Sequence, residues 1–414
     1  MAACHRRVTS GREELDIDRL VTTHVGSIIR PAALLADLEA IRRGEQYDED
    51  RFAQELDAAV EAVVKRQADI GIDILNDGEM GKIGWINYVY NRVSGIESRT
   101  VVLAEKDVIG VIPETVDREA VRGSEGFYTN FWTERFEVGA DATIWTTTGP
   151  ISYDSNFTAV DTDIANLDRA RQGIVSTDAF ITAVAPGSLH WITNDFYSSE
   201  EEFIFAFAEA LGAEYRRIVD AGYMLQVDDA VLWHKYGTIR LTGGSPDDYG
   251  RWATLRVEAL NHALAGIPPE RVRYHICTGS GHGPHTIDPN LTDVLPYVLA
   301  VNAQCILLEQ GNARHEHEWR VWEDVELPDD KVLAPGVVTH HTEMVEHPEL
   351  VAQRLVRLAK IVGRERVIAS TDCGFAQMAP RRRVPEWTQW AKLQALVDGA
   401  RIASGQLWRT ANAA

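Results

Sequence analysis

The sequence predicts an α/β fold, a single (β/α)8 TIM-type barrel with an inserted segment near its N-terminal part. Three observations carry this. Short apolar runs alternate with amphipathic helical stretches along almost the whole chain, the pattern of a parallel sheet joined by crossover helices. Chemically active residues recur at the C-terminal ends of the strand-like runs, where such barrels build their sites. The 414 residues contain no internal repeat and no linker rich in Pro, Gly or Ser, so one barrel with an insertion is the economical reading.

Taken in order, residues 1–19 are polar, lack the apolar core of a secretory signal, and read as a flexible tail on a cytoplasmic protein. The barrel domain is expected over 20–414, and its first strand-like run, 20–27, ends in Gly26-Ser27. Residues 51–70 place Phe52, Leu56, Ala59, Val60, Val63 and Val64 at helical spacing, and Gly71 stops them. Residues 74–79 form a short strand ending in Asp77-Gly78-Glu79. From 85 to 141 the rhythm breaks into β-branched and aromatic residues around a glutamate-rich middle. That stretch is expected to be an insertion, a hairpin with short helices over one end of the barrel.

The alternation then resumes, with strand-like runs at 143–151, 181–187, 223–229, 273–279, 305–310, 331–338 and 367–374. Helical spacing covers 161–174, 200–221, 247–265, 293–302, 348–363 and 385–404. This makes nine strand candidates, where a closed barrel takes eight. Either the 143 run or the 181 run lies outside the wall.

A formal charge of −21 argues against nucleic acid or an anionic membrane as partner. It leaves anionic small molecules and homo-oligomerisation open. No apolar run approaches the ~18 residues of a membrane span. Four cysteines in so long a chain make no disulfide framework. Cys4 lies in the tail and Cys305 inside an apolar strand, so Cys277 and Cys373 need another explanation.

His275 and Cys277 stand two apart in a strand-like run, and side chains at i and i+2 of a strand project from one face. Glu309 and Cys373 end two later runs. This His/Cys/Glu/Cys set offers mixed N, S and O donors that suit zinc. The bland alternative is a hydrogen-bonded histidine beside a buried thiol. Rival ligands are His282, His285, His315, His317, His340 and His341; His315-Glu316-His317 sits in a stretch too polar for a wall strand. Two acidic clusters, Asp77 with Glu79 and Asp228 with Asp229, suit a substrate ammonium group, or else cap helices. Arg381-Arg382-Arg383 offers charge to an anion, or is a solvated face. Two thiolates and a carboxylate make zinc electron-rich, better at holding an incoming thiolate than at activating water.

These residues resemble a known family. Thr22-Thr23-His24-Val25-Gly26-Ser27, Asp77-Gly78-Glu79, Gly149-Pro150, Gln226-Val227-Asp228, His275-x-Cys277, Glu309 and Thr371-Asp372-Cys373-Gly374 occur in the order found in the catalytic domain of cobalamin-independent methionine synthase. Within that superfamily the chain resembles the stand-alone branch that includes epoxyalkane:coenzyme M transferases, as in Gly149-Pro-Ile-Ser-Tyr153 and Arg314-His-Glu-His-Glu-Trp319. The resemblance implies zinc ligands His275, Cys277, Glu309 and Cys373. It also implies that Glu79 and Asp228 hold the amino group of homocysteine while Gly26 and Ser27 offer backbone to its carboxylate. The synthase's second, N-terminal barrel has no counterpart here. Asn156-Phe157 stand where the synthase has a folate-stacking tryptophan, so the resemblance does not carry over methyltetrahydrofolate as the donor.

The expected activity is zinc-dependent thiol alkyl transfer, in which a metal-held thiolate attacks an electrophilic carbon, with methyl transfer to homocysteine or a similar small thiol in first place. An epoxide-opening thiol transferase is the alternative; its alkoxide needs a proton donor, for which His24, Tyr153 and His282 are candidates by location. A purely structural zinc is the reading from another class.

Overall fold

The computed structural model describes residues 18–102, 141–189, 192–280, 288–380 and 382–409. In chain order the strands are β1 (Val21–Thr22), β2 (Ile74–Asn76), β3 (Val93–Val102), β4 (Asp141–Tyr153), β5 (Asp178–Val184), β6 (Ile192–Thr193), β7 (Met224–Asp228), β8 (Val272–Ile276), β9 (Cys305–Glu309), β10 (Val332–Val338) and β11 (Ile368–Thr371). The described helices are α1 (Ala32–Arg43), α2 (Glu49–Ile70), α3 (Thr158–Ala170), α4 (Glu200–Asp220), α5 (Val231–Leu241), α6 (Pro246–Ala263), α7 (Leu291–Leu299), α8 (Val321–Asp324), α9 (Pro348–Val362) and α10 (Glu386–Arg409).

Eight strands pair in parallel in the order β1-β11-β10-β9-β8-β7-β5-β2. Between the two ends, Asp73 N donates to Thr22 O at 3.1 Å and the Asp73 carboxylate accepts from Thr22 N at 2.8 Å. The sheet thereby nearly closes into a (β/α)8 barrel. The wall strands are buried on both faces, which is why they read as near-continuous apolar runs. Val21, Ile74, Phe180, Cys305, Leu307, Val332, Ala334 and Ile368 pack together as one buried cluster. A much larger cluster joins the strands to the helices.

Local chemistry sets the helix ends. Asp48 accepts from Arg51 N to start α2, and Gly71 at φ +95° stops it. Ser245 and Asp248 form a reciprocal capping box at α6, with Pro246 in its first turn.

The strand count resolves in favour of the 181 run, which lies in β5 between β2 and β7. The 143 run belongs to β4, which pairs antiparallel with β3 and parallel with β6 in a separate three-stranded sheet. β5 is buried at every position, whereas β4 leaves Thr143 and Thr148 exposed. Among the described residues no helix is long and apolar enough to cross a membrane.

Candidate metal centre

The C-terminal ends of β8, β9 and β11 bring three acids together. One donor atom from each of Cys277, Glu309 and Cys373 lies within 4.8 Å of the others, and all three residues are buried. The two Sγ atoms are 3.8 Å apart. His275 stands outside this group of three. Its Nδ1 is 2.8 Å from Asp228 Oδ1, across the β7–β8 register that pairs the two residues. A carboxylate only accepts, so Nδ1 carries the hydrogen, and in the neutral ring Nε2 carries the lone pair. That Nε2 is buried with no hydrogen-bond partner among the described residues.

The carboxylates are held by backbone N–H groups and the Asn312 amide. Glu309 Oε1 accepts from Thr278 N at 3.0 Å, and Oε2 accepts from Asn312 Nδ2 at 2.9 Å. Asp372 Oδ1 accepts from Gln310 N and Gly311 N at 3.0 and 2.7 Å, tying the end of β9 to the residue before Cys373. Gly336 on β10 makes room for this: a Cβ there would overlap Asp372 backbone and side chain.

Electrostatics make the cluster unfavourable as three bare anions. The hydrogen bond from Cys373 pushes the Cys277 thiol well down in pKa, against burial, and a hydrogen bond from His234 adds to it. The same bond, with burial, pushes Cys373 up. Burial pushes Glu309 well above the usual carboxylate range, and the charges of Cys277 and Asp372 push it further. A divalent cation is what such a buried set of acids calls for. Two sulfurs, a carboxylate and an imidazole Nε2 whose other nitrogen is fixed by a carboxylate fit zinc.

Residues 153–401, more than half of the 414-residue chain, match the family described as cobalamin-independent synthase, catalytic domain. The chain belongs to that family. A methionine synthase of Sulfurisphaera tokodaii is 24% identical over 400 residues, covering 95% of both chains. One from Sulfolobus acidocaldarius is 22% identical over 371 residues, covering 89% of this chain and 88% of that one. A solved B12-independent methionine synthase from Shewanella sp. W3-18-1, in complex with selenomethionine, shares the fold. It has a TM-score of 0.68 at 22% identity, covering 94% of this chain and 99% of that chain.

In this member of the family the other candidate residues divide. Gly26, at φ +121°, approaches so closely that an added Cβ would stand 3.0 Å from Glu79 Oε1. Ser27 O accepts from Phe375 N at 2.9 Å, setting the segment after β1 against the Cys373-Gly374 turn. Burial raises the Glu79 pKa to about 7 against the opposing charges of Arg30 and Lys82, and burial raises Asp77 as well. Asp228 faces His275 and also accepts from Gln226 Nε2 at 3.0 Å.

Three further candidates are engaged or enclosed by the fold. Asp229 accepts from Ser188 Oγ, Leu232 N and Tyr274 Oη at 2.9, 3.2 and 2.9 Å, so it serves the first turn of α5 and its carboxylate is satisfied within the fold. His24 is engaged at both nitrogens, by Gln67 Oε1 at 2.9 Å and by Gly26 N at 3.1 Å, which leaves none for a substrate. Tyr153 is buried, and burial, with the Glu214 charge adding, raises its pKa far above the ordinary phenol value. His282 lies outside the described residues, as do residues 1–17 of the tail and 103–140 of the 85–141 stretch.

A second close group comprises Glu309, His340 and His341. Sequence reasoning missed His234, Ser280, Asn312, Asp372 and Gln377. Asp372 and Ser280 adjoin or nearly adjoin the two cysteines in sequence, and that was the available signal. His234 lies on α5, a helix with no clear amphipathic period.

Proposed function

We propose that this chain is a zinc-dependent thiol alkyltransferase that passes a methyl group to homocysteine or a similar small thiol. The observation that carries the reading is the buried Cys277/Glu309/Cys373 cluster beside an unshared His275 Nε2 at the mouth of the barrel. Cys277, Glu309, Cys373 and His275 Nε2 are the residues that would hold the metal. Bound zinc keeps a substrate thiol as thiolate near neutral pH, where a free thiol of pKa about 8.5 is mostly protonated.

The chain's own groups supply the rest. Asp228 fixes the His275 tautomer. Glu79 and Asp228, both buried, supply negative charge suited to an amino group, and the Gly26-Ser27 backbone lies against Glu79 and the Cys373-Gly374 turn. The relatives named methionine synthase support homocysteine as the thiol. Opening an epoxide would leave an alkoxide in need of an acid. Of the described candidates, neither His24 nor Tyr153 is placed as one.

Elemental analysis of the purified chain, paired with methyl-transfer assays on homocysteine and a panel of thiols and with thiol addition to epoxypropane, tests the reading. We expect about one zinc per chain, lost in Cys277→Ser and Cys373→Ser, and methylated thiol only with metal present. Full activity in metal-free protein would overturn it.

A further inference from the structure

One side chain outside the ligand set links the surroundings of both sulfurs. Gln377 lies four residues past Cys373, and its Nε2 is 3.3 Å from Cys373 Sγ, 3.0 Å from Ser280 Oγ and 2.6 Å from Gly374 O. Its orientation is fixed by chemistry. Arg383 Nε sits 2.9 Å from Gln377 Oε1, and a guanidinium only donates, so the amide oxygen faces the arginine and the two N–H hydrogens are shared among Cys373 Sγ, Ser280 Oγ and Gly374 O. Ser280 Oγ, which accepts from Gln377, lies 3.6 Å from Cys277 Sγ and 2.9 Å from His340 Nε2. A chain of polar groups therefore runs from the Arg383 guanidinium to Cys373 directly and to Cys277 by way of Ser280.

We propose that Gln377 is a positioning residue of the thiol-transfer site, donating a hydrogen bond to Cys373 Sγ and, through Ser280, polarising Cys277 Sγ, with Arg383 holding it in that orientation. The inference rests on the zinc reading above. Hydrogen bonds to a thiolate draw electron density from sulfur, and partners behind the ligands tune a metal in this way. Less charge passed from Cys277 and Cys373 leaves the metal a better acceptor for the substrate sulfur. A residue that merely filled space would need only its length and its contact with Arg383, and one that anchored the loop only its N–H on Gly374 O.

The test uses the full chain reconstituted with cobalt(II), reading the near-ultraviolet thiolate-to-cobalt charge-transfer band, alongside the KM for the thiol. Losing the donor raises the energy of the sulfur electrons, so Gln377→Leu and Gln377→Glu should both move the band to longer wavelength. The KM should rise about tenfold. Gln377→Glu is decisive because it keeps the length and the Arg383 contact but presents no N–H. Ser280→Ala, a one-atom deletion, should give a smaller shift in the same direction and serves should either Gln377 variant fail to fold by circular dichroism. An unmoved band in Gln377→Glu, or in Ser280→Ala where that variant stands in, overturns this inference and leaves the zinc reading intact. Absence of any thiolate band in the unmutated protein overturns both.

Discussion

Both ring nitrogens of His24 are taken by the protein, and burial lowers its pKa from 6.5 to about 4. The unfolded chain therefore binds this proton more readily than the folded one. The resulting contribution to stability is complete above about pH 6.5 and is lost as pH falls towards 4. The gap between those values corresponds to about 3 kcal/mol. His24→Asn has no proton to gain, so its deficit against the unmutated protein should shrink as pH drops from 7 to 4.5 in denaturant titrations. Glu79 and Asp372, raised to about 7 and about 6, act in the opposite sense but are common to both proteins. A deficit that stays constant over this window would refute the assignment. His24 also marks where residue-level reading ends. Its place beside Gly26-Ser27 is visible in the sequence, but Gln67, which occupies it, arrives from α2, 43 positions away. Ser188 and Tyr274, which engage Asp229, likewise lie 41 and 45 positions away. The cysteines and Glu309 were legible because strand spacing and strand ends are local properties.

At the scale of elements, the centre depends on how closely β10 and β11 approach. Asp372 N donates to Val338 O at 2.9 Å while its carboxylate gathers Gln310, Gly311 and Asn312. Only a glycine at 336 leaves space for that arrangement. Gly336→Ala must push Asp372 away, moving Cys373 and the Glu309 loop with it. We expect a loss of about 1–3 kcal/mol in stability and at least about a tenfold loss in zinc affinity in competition with a chromogenic chelator. Gly222→Ala is the control: its φ of +91° strains any side chain, but a Cβ there meets nothing within 4 Å. It should lose some stability and no metal affinity. Equal affinity in Gly336→Ala would sink the argument. The element pattern itself was largely readable, since α2, α4, α6 and α9 carry clear apolar faces. The choice between the 143 and 181 runs was not, because which strand joins the wall depends on partners far along the chain. α5 escaped notice because its apolar and polar residues are mixed.

For the whole molecule, the question is whether a metal at the barrel mouth holds the barrel together. Structural zinc is needed where a domain cannot bury enough apolar surface by itself. Here an extensive buried cluster joins the strands to the helices and another involves β1, β2, β5, β9, β10 and β11. The ladders from β8 through β11 are hydrogen-bonded without any help from the ligands. Stripping the metal with a chelator should therefore leave the far-ultraviolet circular dichroism and a single cooperative unfolding transition in place. Stability should still fall, because a ligand that binds only the folded chain adds about 4 kcal/mol at a thousandfold excess over its Kd. Spread over a chain of this size, that is a drop of several degrees in Tm. Methyl transfer should vanish at the same time and return on adding zinc. Should the helical signal collapse on chelation, zinc would be a staple of the fold, and the transfer chemistry would need another centre.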